Sequence, residues 1–402
     1  MNEEVKQMNG FERYFNRSRW FAVLVLTAFV AGCGGESGSL AVSLTDSPAC
    51  GFDAVNVTVS KVRVHQSVTA SEDAGDWSEI ILSPPRKINL LDLANGVLES
   101  LGDTTLPTGH YRQLRLVLAA NDGLGPNNNS VIPSGTPGVE IALDTPSAVQ
   151  SGIKLTNEFA VAVGERVDLV LDFDACKSVV PRGNGSYALI PVIRVVPPVL
   201  NGINGFVDTS LLGSNVMVSA QVGGAVAQST VPNTSTGEFL LARLAPGNYD
   251  VVVAADSHAT AVIGAVPVAD SSSIATVSTS AAPISLPLST ARNISGIASL
   301  NPASATEEVI FVAAKQTFNG APTVIVKSQA ADLLSGAYVL TLPVGAPLLG
   351  QYGAGTLPIA LVAQSAPAGQ YTVEASANGY HTQSFSRDIS TTDATQDFVL
   401  TP

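Results

Sequence analysis

The chain has 402 residues, of which 13% are charged and 46% hydrophobic, and its formal net charge is −13 at pH 7. An acidic surface repels phosphate groups, so the charge argues against nucleic acid and anionic membrane surfaces as partners. The abundance of Ala, Val, Ser, Thr, Gly and Pro favours short strands and turns over long charged helices.

Residues 1–32 have the parts of a secretory signal. Three arginines precede an apolar run over residues 20–29 that is interrupted only by Thr27. The alternative is a transmembrane helix, which the run is too short to form because spanning a bilayer takes about 20 residues. Two glutamates near the N-terminus are atypical of a signal, so we predict that translation starts at Met8.

The signal run ends in Val30-Ala31-Gly32-Cys33, which resembles the lipobox of bacterial lipoproteins. The resemblance implies cleavage after residue 32, acylation of Cys33 and a lipidated tether over residues 33–38. Position 34 is Gly, whereas an Asp there favours retention at the inner membrane, so the resemblance implies the outer membrane of a Gram-negative bacterium. Cleavage changes the net charge from −13 to −14, because residues 1–32 carry one more positive than negative charge.

Two cysteines, Cys50 and Cys176, remain once Cys33 is assigned to the lipid. An even pair in an exported protein indicates one disulfide, because the compartment is oxidising. A metal site built on these two cysteines is disfavoured, since no histidine is near either of them in the sequence.

Residues 39–199 form the first predicted domain, in which alternating apolar residues mark several half-buried strands. In the second strand the alternation slips by one residue, which predicts a β-bulge near Ser60 and Lys61. A helix is predicted over residues 90–101, and residues 187–196 are apolar on both faces, as in a central strand. Many short strands separated by turn signals predict a β-sandwich.

Pro197-Pro198 ends this domain, and a repeat follows it. Each copy consists of a strand, a Pro/Gly turn and a strand that opens with Tyr, at residues 237–251 and again at 336–373 with an insertion over 343–366. The tyrosine hydroxyl is expected to cap a backbone group, as in the tyrosine corner of sandwich folds. The second and third predicted domains are residues 200–289 and 290–402.

Motifs in all three domains resemble known families. The third domain, with Gly369-Gln370-Tyr371 and Gly379-Tyr380, is similar to carboxypeptidase-regulatory-like domains, which have a transthyretin-like, carbohydrate-binding-like sandwich fold. The second domain resembles them less closely, with Ser257-His258 in place of the Gly-Tyr pair. The first resembles a lipoprotein family of unknown function through Leu44-Thr45-Asp46-Ser47-Pro48 and Leu171-Asp172-Phe173-Asp174. These resemblances imply tandem β-sandwiches and no particular activity.

The sequence indicates a protein that is not an enzyme. Its four histidines, at positions 65, 110, 258 and 381, are scattered over the three predicted domains. His-Glu-x-x-His, Gly-x-Ser-x-Gly and phosphate-binding glycine motifs are absent from the sequence. We therefore predict no catalytic residues and no resident cofactor.

One acidic group of residues has two interpretations. A bond between Cys50 and Cys176 would bring the turn holding Asp46 near Asp172 and Asp174, which alternate with the apolar residues of their strand. Clustered carboxylates can bind Ca²⁺. The alternative is that Asp46 caps a turn while the strand aspartates face solvent or pair with Arg and Lys, and the lack of a contiguous calcium-binding loop favours it.

Trp77 is the tryptophan that could act as a sugar-binding platform, although a half-buried strand aromatic is the alternative. Tyr249 and Tyr371 are already assigned to turns. The sequence thus predicts an all-β, lipid-anchored, non-catalytic envelope protein with a binding or scaffolding role, and an envelope protein or a polysaccharide as its partner. The alternative function is recognition of carbohydrate.

Overall fold

The computed structural model describes residues 36–47, 51–123, 125–136, 138–155, 157–270, 272–305, 307–318 and 322–402. Within these ranges the chain consists mainly of β-strands in several sheets, which confirms the predicted all-β sandwich class. The signal run, the lipobox with Cys33, and Cys50 lie outside the described residues. In the described part, no helix is both long and apolar enough to cross a membrane.

The first domain contains two large sheets that face each other across one apolar core. One has the strand order β14-β11-β1-β4, and the other β12-β13-β8-β7-β2-β6-β9 with β3 paired to β2, while β5 and β10 form a small third sheet. The strands are β1 Ser37–Ser47, β2 Phe52–His65, β3 Ser78–Asn89, β4 Glu99–Pro107, β5 Gly109–Tyr111, β6 Gln113–Leu118, β7 Ser130–Pro133, β8 Ile141–Asp144, β9 Ile153–Leu155, β10 Phe159–Val161, β11 Arg166–Asp174, β12 Val179–Pro181, β13 Tyr187–Leu189 and β14 Ile193–Val196.

The predicted bulge is confirmed in β2. The pairing of β2 with both β3 and β6 shifts between Val59 and Lys61, so Ser60 is the extra residue. The shift lets Val59 and Val62, which are three positions apart, both point into the core.

The predicted helix over residues 90–101 is wrong beyond its first turn. Leu90–Leu93 forms a 3-10 helix, and the chain then turns at Asn95 and Gly96, whose φ angles are 58° and 77°. An Asn-Gly pair adopts this left-handed conformation readily and stops a helix, and β4 begins soon after it. The other helices among the described residues are short: Pro146–Gln150, Ala175–Ser178 and the 3-10 helix Thr209–Leu211.

The single central strand predicted at residues 187–196 is also wrong. Two strands, β13 and β14, lie there in different sheets. Pro191 stands between them and has no backbone N–H for a sheet ladder, so the chain leaves one sheet and joins the other at this point.

The second and third domains share one topology. In the second domain the sheets have the orders β18-β15-β21 and β17-β16-β19-β20, and the third repeats this as β25-β22-β30, with β31 also on β22, and β24-β23-β28-β29. The strands are β15 Gly202–Phe206, β16 Met217–Val222, β17 Ala225–Thr230, β18 Glu238–Ala242, β19 Gly247–Ala254, β20 Ala261–Val268, β21 Ile274–Thr276, β22 Ala291–Leu300, β23 Phe311–Thr317, β24 Thr323–Ala330, β25 Ala337–Pro343, β26 Leu348–Gln351, β27 Val362–Ala363, β28 Gln370–Ser376, β29 Gln383–Asp388, β30 Ala394–Thr395 and β31 Phe398–Leu400.

The same turn precedes β18 and β25. Asn233 and Asp332 accept hydrogen bonds from the backbone two and three residues further on. Gly237 and Gly336 close the two turns with φ of 73° and 70°, and a Cβ at Gly237 would approach the Val207 carbonyl oxygen to 2.2 Å. Equivalent turns at equivalent places support the internal repeat recognised in the sequence.

The insertion at residues 343–366 leaves its own domain. Its strand β26 pairs in parallel with β20 of the second domain, and β27 pairs with β26, so the second domain's sheet gains two strands from the third. Tyr352, Ile359 and Leu361 of the insertion pack against the second domain's core.

The tyrosine that opens each repeat's second strand caps a carbonyl group, as predicted. The Tyr249 hydroxyl donates to the Ala245 carbonyl oxygen at 2.8 Å. The Tyr371 hydroxyl donates to the Pro343 carbonyl oxygen at 2.6 Å, across the insertion rather than four residues back. Burial raises the pKa of both phenols, so they remain protonated donors well above neutral pH.

Replacing Tyr249 by Phe should lower the free energy of unfolding by about 1 kcal/mol, because the Ala245 carbonyl loses its donor while the ring is kept. Urea titration measures the change. Tyr187→Phe is the matched control, since that hydroxyl bonds to no described residue and its ring already packs edge-on against Phe52 at 5.5 Å. Equal losses in the two variants would contradict the capping role.

Candidate functional site

Each of the three domains contacts both of the others. The first and second meet at the Asn95-Gly96 turn, where the Asn95 amide donates to the Val231 carbonyl oxygen and its oxygen accepts from Leu240 N, both at 2.9 Å. A Cβ on Gly96 would lie 2.8 Å from Cβ of Ala242, so this close approach requires glycine.

A buried charge forms a second contact between these two domains. Asp172 on β11 is fully buried, and its Oδ2 atom accepts from Nε of Arg194 on β14 at 2.7 Å. Nη2 of Arg194 also donates to Gln228 on β17 of the second domain. The carboxylate therefore orients a guanidinium group that reaches across the interface.

The first and third domains are joined through Arg182. Its Nη1 atom lies 2.9 Å from Asp144 in its own domain, and its Nη2 atom lies 2.7 Å from Glu307 in the third. The Leu333 backbone N–H donates to the Pro181 carbonyl oxygen at 3.0 Å. A small apolar cluster also spans the two domains: Val180, Val309 and Ala330.

The second and third domains share more than the strands of the insertion. The Gln221 side chain donates to the Ile325 carbonyl oxygen and accepts from Ile325 N, each at 2.8 Å, so it covers part of the edge of β24 as a neighbouring strand would. Val252 and Val262, on the second domain's sheet, pack into the core of the third.

A cavity of about 670 Å³, the junction cavity, lies where the three domains meet. The first domain contributes the ends of β2 and β7, the second the start of β16 and the end of β19, and the third β24 and the end of β25. Its polar and flexible lining residues include Asp53, Asn215, Met217, Asp256, Thr260 and Lys327.

The charged groups of this cavity are held by neighbours. Asp256 accepts from Nδ2 of Asn215 at 2.7 Å and lies 3.5 Å from Nζ of Lys327, which joins the second domain's wall to the third's. On the first domain's wall, Asp53 accepts from Oγ of Ser134 at 2.7 Å. The lining therefore combines two carboxylates, one ammonium group and several neutral polar groups.

In the described part of the chain, the wall of the cavity that the second domain supplies has an unpartnered hydroxyl group and two residues with unusual backbone angles. Thr260 is 1% exposed, and its buried hydroxyl has no hydrogen-bond partner among the described residues. Asn215 and Ser257 have φ of 49° and 59°, in the left-handed region that side chains with a Cβ seldom adopt. Unsatisfied polar groups and strained backbone are both concentrated at functional sites in proteins.

The aspartates considered as calcium ligands have other partners. Asp46 accepts from Ala175 N at 3.1 Å, Asp172 is paired with Arg194, and Asp174 lies 2.7 Å from Nζ of its near neighbour in sequence, Lys177. Across the described ranges, no group of three or more His, Cys, Asp or Glu side chains could hold a metal ion. Calcium binding at these residues stays a prediction, and the observed contacts favour capping and ion pairing.

Asp172 pairs with an arginine, as one of the two sequence interpretations expected, but it is fully buried although it alternates with the apolar residues of β11. Alternation along β11 describes the first sandwich by itself, whereas Arg194 and the second domain cover this residue. Asp168, nearer the start of the strand, is half-exposed and pairs with Arg166 at 3.0 Å, as the alternation implies.

Trp77 is half-buried and is engaged by cations. The guanidinium carbons of Arg63 and Arg115 lie 4.5 Å and 5.0 Å from its ring centroid, and its Nε1 atom donates to the Ser71 carbonyl oxygen at 3.1 Å. His65 packs against the ring edge, with 5.0 Å between centroids. These contacts occupy the ring, which favours the structural interpretation over a sugar-binding platform.

Cys176 is bonded in a disulfide. Cys50, its predicted partner, lies outside the described residues, so the pairing stays a prediction. Cys176 belongs to the short helix that follows β11, and Gly51, the described residue next to Cys50 in sequence, lies on a wall of the junction cavity.

Residues 37–191 match the model of DUF4382, a domain of unknown function. This match confirms the resemblance of the first domain to a family of unknown function. It stops before the second and third domains, whose similarity to carboxypeptidase-regulatory-like domains stays a prediction. No curated protein matches the chain.

Among solved structures, the Bacillus anthracis TIE protein is 11% identical at a TM-score of 0.18, and the alignment covers 91% of this chain but only 51% of that one. The Streptococcal ancillary pilin is 10% identical, with a TM-score of 0.17 and coverages of 91% and 100%. The Corynebacterium diphtheriae major pilin SpaA is 13% identical, with a TM-score of 0.20 and coverages of 91% and 100%. Similarity this low supports no inference about function.

The sequence did not reveal the junction cavity. Its walls come from three domains, and its polar residues stand at strand ends, where they resemble ordinary turn residues. Asn215 and Ser257, which lie in loops that bound β16 and β19, gave no signal in the sequence. Their backbone conformation becomes apparent only in the structure.

Replacing Arg194 by Ala should lower the free energy of unfolding by about 2–3 kcal/mol. The loss is smaller than the roughly 3–5 kcal/mol expected when a fully buried ion pair is broken, because the Arg194 side chain is partly exposed. Arg166→Ala is the matched control, since its partner Asp168 is exposed and such pairs contribute about 1 kcal/mol or less. Urea unfolding of both variants provides the comparison.

Calcium titration of the unmodified protein separates the two roles of the aspartates. If they act as ion-pair partners and caps, millimolar Ca²⁺ leaves the melting temperature unchanged. A clear rise in melting temperature, together with equal losses in Arg194→Ala and Arg166→Ala, would contradict this account.

Peptide mapping without reduction should recover Cys50 and Cys176 in one linked species. Because a disulfide between Cys50 and Cys176 would close a long loop, Cys50→Ser should lower the free energy of unfolding by about 2–4 kcal/mol. The Cys50→Ser/Cys176→Ser double variant is expected to lose no more than the single variant. A linkage between Cys33 and Cys176 would refute both the proposed pairing and the acylation of Cys33.

Proposed function

We propose that this chain is a non-catalytic, lipid-anchored protein of the cell envelope with a binding or scaffolding role. The observation that carries the proposal is the mutual packing of the three sandwiches. Directional polar contacts join every pair of domains, for example at Asn95, Arg182 and Gln221. Such contacts favour a fixed arrangement of surfaces, which suits a scaffold or a receptor more than a flexible string of modules.

The proposed anchor is the lipid on Cys33, at the outer membrane of a Gram-negative bacterium. Strand β1 begins at Ser37, so only a few residues would separate the lipid from the first sandwich. A tether this short would hold the protein close to the membrane surface. The same compartment would be oxidising enough for the Cys50–Cys176 pair.

A non-catalytic role is supported by the way the junction cavity holds its charged groups. Asp256 is bonded to Asn215 and Lys327, and Asp53 to Ser134. Groups fixed in this way can orient hydrogen bonds toward a ligand. They do not form a nucleophile paired with a base, as covalent catalysis requires.

Carbohydrate recognition is the second candidate function. It is favoured by the polar lining of the junction cavity, while the contacts of Trp77 weigh against a surface aromatic platform. The proposed partners are accordingly an envelope polysaccharide or an envelope protein.

Metabolic labelling with an alkyne-bearing palmitate analogue tests the anchor. The unmodified protein should carry the label and sediment with membranes, whereas Cys33→Ala should lose the label and become soluble, because no acyl chain remains to insert. Cys50→Ala is the control variant and should keep both the label and the membrane association. Labelling that survives in Cys33→Ala would refute the lipid anchor.

The non-catalytic role is tested separately on the purified protein. Hydrolysis of envelope polysaccharide or peptide that is abolished by Asp256→Asn or Lys327→Met would contradict it, whether or not the protein is lipidated.

A further inference from the structure

The junction cavity has the size and construction of a small-molecule site. Its volume of about 670 Å³ lies within the range of roughly 300–1,000 Å³ typical of ligand pockets. A polar contact joins each pair of the domains that form its walls, through Arg194, Arg182 and Gln221. Ligand sites commonly lie at such domain junctions.

The charges of the lining exclude an anionic ligand. Among the described lining residues, Asp53 and Asp256 outnumber the one cation, Lys327, which is already paired with Asp256. A phosphate or carboxylate group entering the cavity would meet a net negative environment in a protein that is itself strongly acidic. The pairing of Lys327 with Asp256 also reduces the attraction for a cation, so the lining fits a ligand without net charge.

The neutral part of the lining is both polar and apolar. Ser257, Ser328 and Thr341 carry hydroxyl groups, and Met217 belongs to an apolar strip that also includes Val216 and Val326. A purely apolar ligand would leave the polar groups without water or partners. A saccharide matches both parts, because its hydroxyl groups donate and accept while its C–H faces pack on aliphatic side chains.

The Thr260 hydroxyl provides an independent observation. Thr260 lines the cavity, and its hydroxyl is buried and lacks a hydrogen-bond partner among the described residues. Buried hydroxyl groups are normally satisfied, so an unsatisfied one at a cavity wall points to a ligand hydroxyl as its partner. Asp256 can serve the same ligand, because a carboxylate has lone pairs to spare beyond its bonds to Asn215 and Lys327.

We infer that the cavity between the three domains binds a short, uncharged oligosaccharide, with Asp256 and Thr260 among its hydrogen-bonding groups. This inference rests on the proposed binding role and specifies its ligand class. Because all three domains supply walls, bound saccharide would stabilise their closed arrangement and raise the melting temperature of the whole chain.

An array of neutral oligosaccharides, followed by calorimetric titration with the bound members, tests the inference on the unmodified mature protein. Maltotriose, cellotriose and triacetylchitotriose represent the main linkage types, and spermidine and inorganic phosphate are the charged probes. Binding of at least one neutral oligosaccharide, with a rise in melting temperature and no competition by the charged probes, is expected. Binding of no neutral glycan, or of charged probes alone, would overturn the inference.

Two variants locate the binding. Asp256→Asn should weaken it about tenfold, because a charged acceptor is replaced by a neutral one. Thr260→Val should weaken it about fivefold and yet raise the melting temperature of the ligand-free protein, since it removes an unsatisfied buried hydroxyl. Asp270→Asn, an exposed position outside the cavity lining, is the control and should leave affinity unchanged.

The outcomes separate this inference from the broader proposal. Saccharide binding that persists unchanged in both cavity variants would place the site elsewhere and overturn the assignment. An anchored protein that binds no neutral saccharide would overturn the inference and leave the scaffolding role standing. A protein that binds saccharide without being lipidated would overturn only the anchor.

Discussion

Asp172, Arg194 and Gln228 form a series of polar contacts that connects the core of the first domain to the second domain. A carboxylate as buried as Asp172 is tolerated because Arg194 neutralises it. Arg194 in turn is directed by Gln228 of the second domain. The end of the first sandwich and the position of the second are therefore coupled through one guanidinium group.

The other domain contacts follow the same physical logic. Asn95 and Gln221 each use a side-chain amide to bond backbone groups of the neighbouring domain, and Arg182 bridges carboxylates of two domains. Hydrogen bonds of this kind require particular distances and angles, so they specify an orientation more strictly than apolar packing does. Strand β26 adds a backbone connection, because it belongs to the third domain in sequence and to the second domain's sheet in space.

Alternation in the sequence predicted the bulge at Ser60, which depends on one strand and its core, just as the repeated Pro/Gly turn predicted the tyrosine cap at Tyr249. Alternation failed where a neighbouring segment decides the outcome. The apolar residues from Leu90 onward fit a helix equally well until the Asn95-Gly96 turn docks on the second domain. Alternation places Asp172 opposite the apolar residues of β11 but does not show that Arg194 covers it, and the sequence around Trp77 does not show that two arginines pack on its ring. Periodicity reports which way a side chain points, and only the assembled domains determine what it meets there.

The junction cavity is a consequence of this closed arrangement rather than a property of any one sandwich. Each wall is an ordinary set of strand ends, and the polar groups on it would be hydrated in an isolated domain. At the junction, the buried Thr260 hydroxyl has no partner among the described residues, while Asp256 joins two walls through its contacts with Asn215 and Lys327. A ligand in the cavity would contact several domains at once, so its binding energy and the stability of the domain arrangement would be linked. Through that linkage, binding of a ligand in the junction cavity would stabilise the relative positions of the three sandwiches.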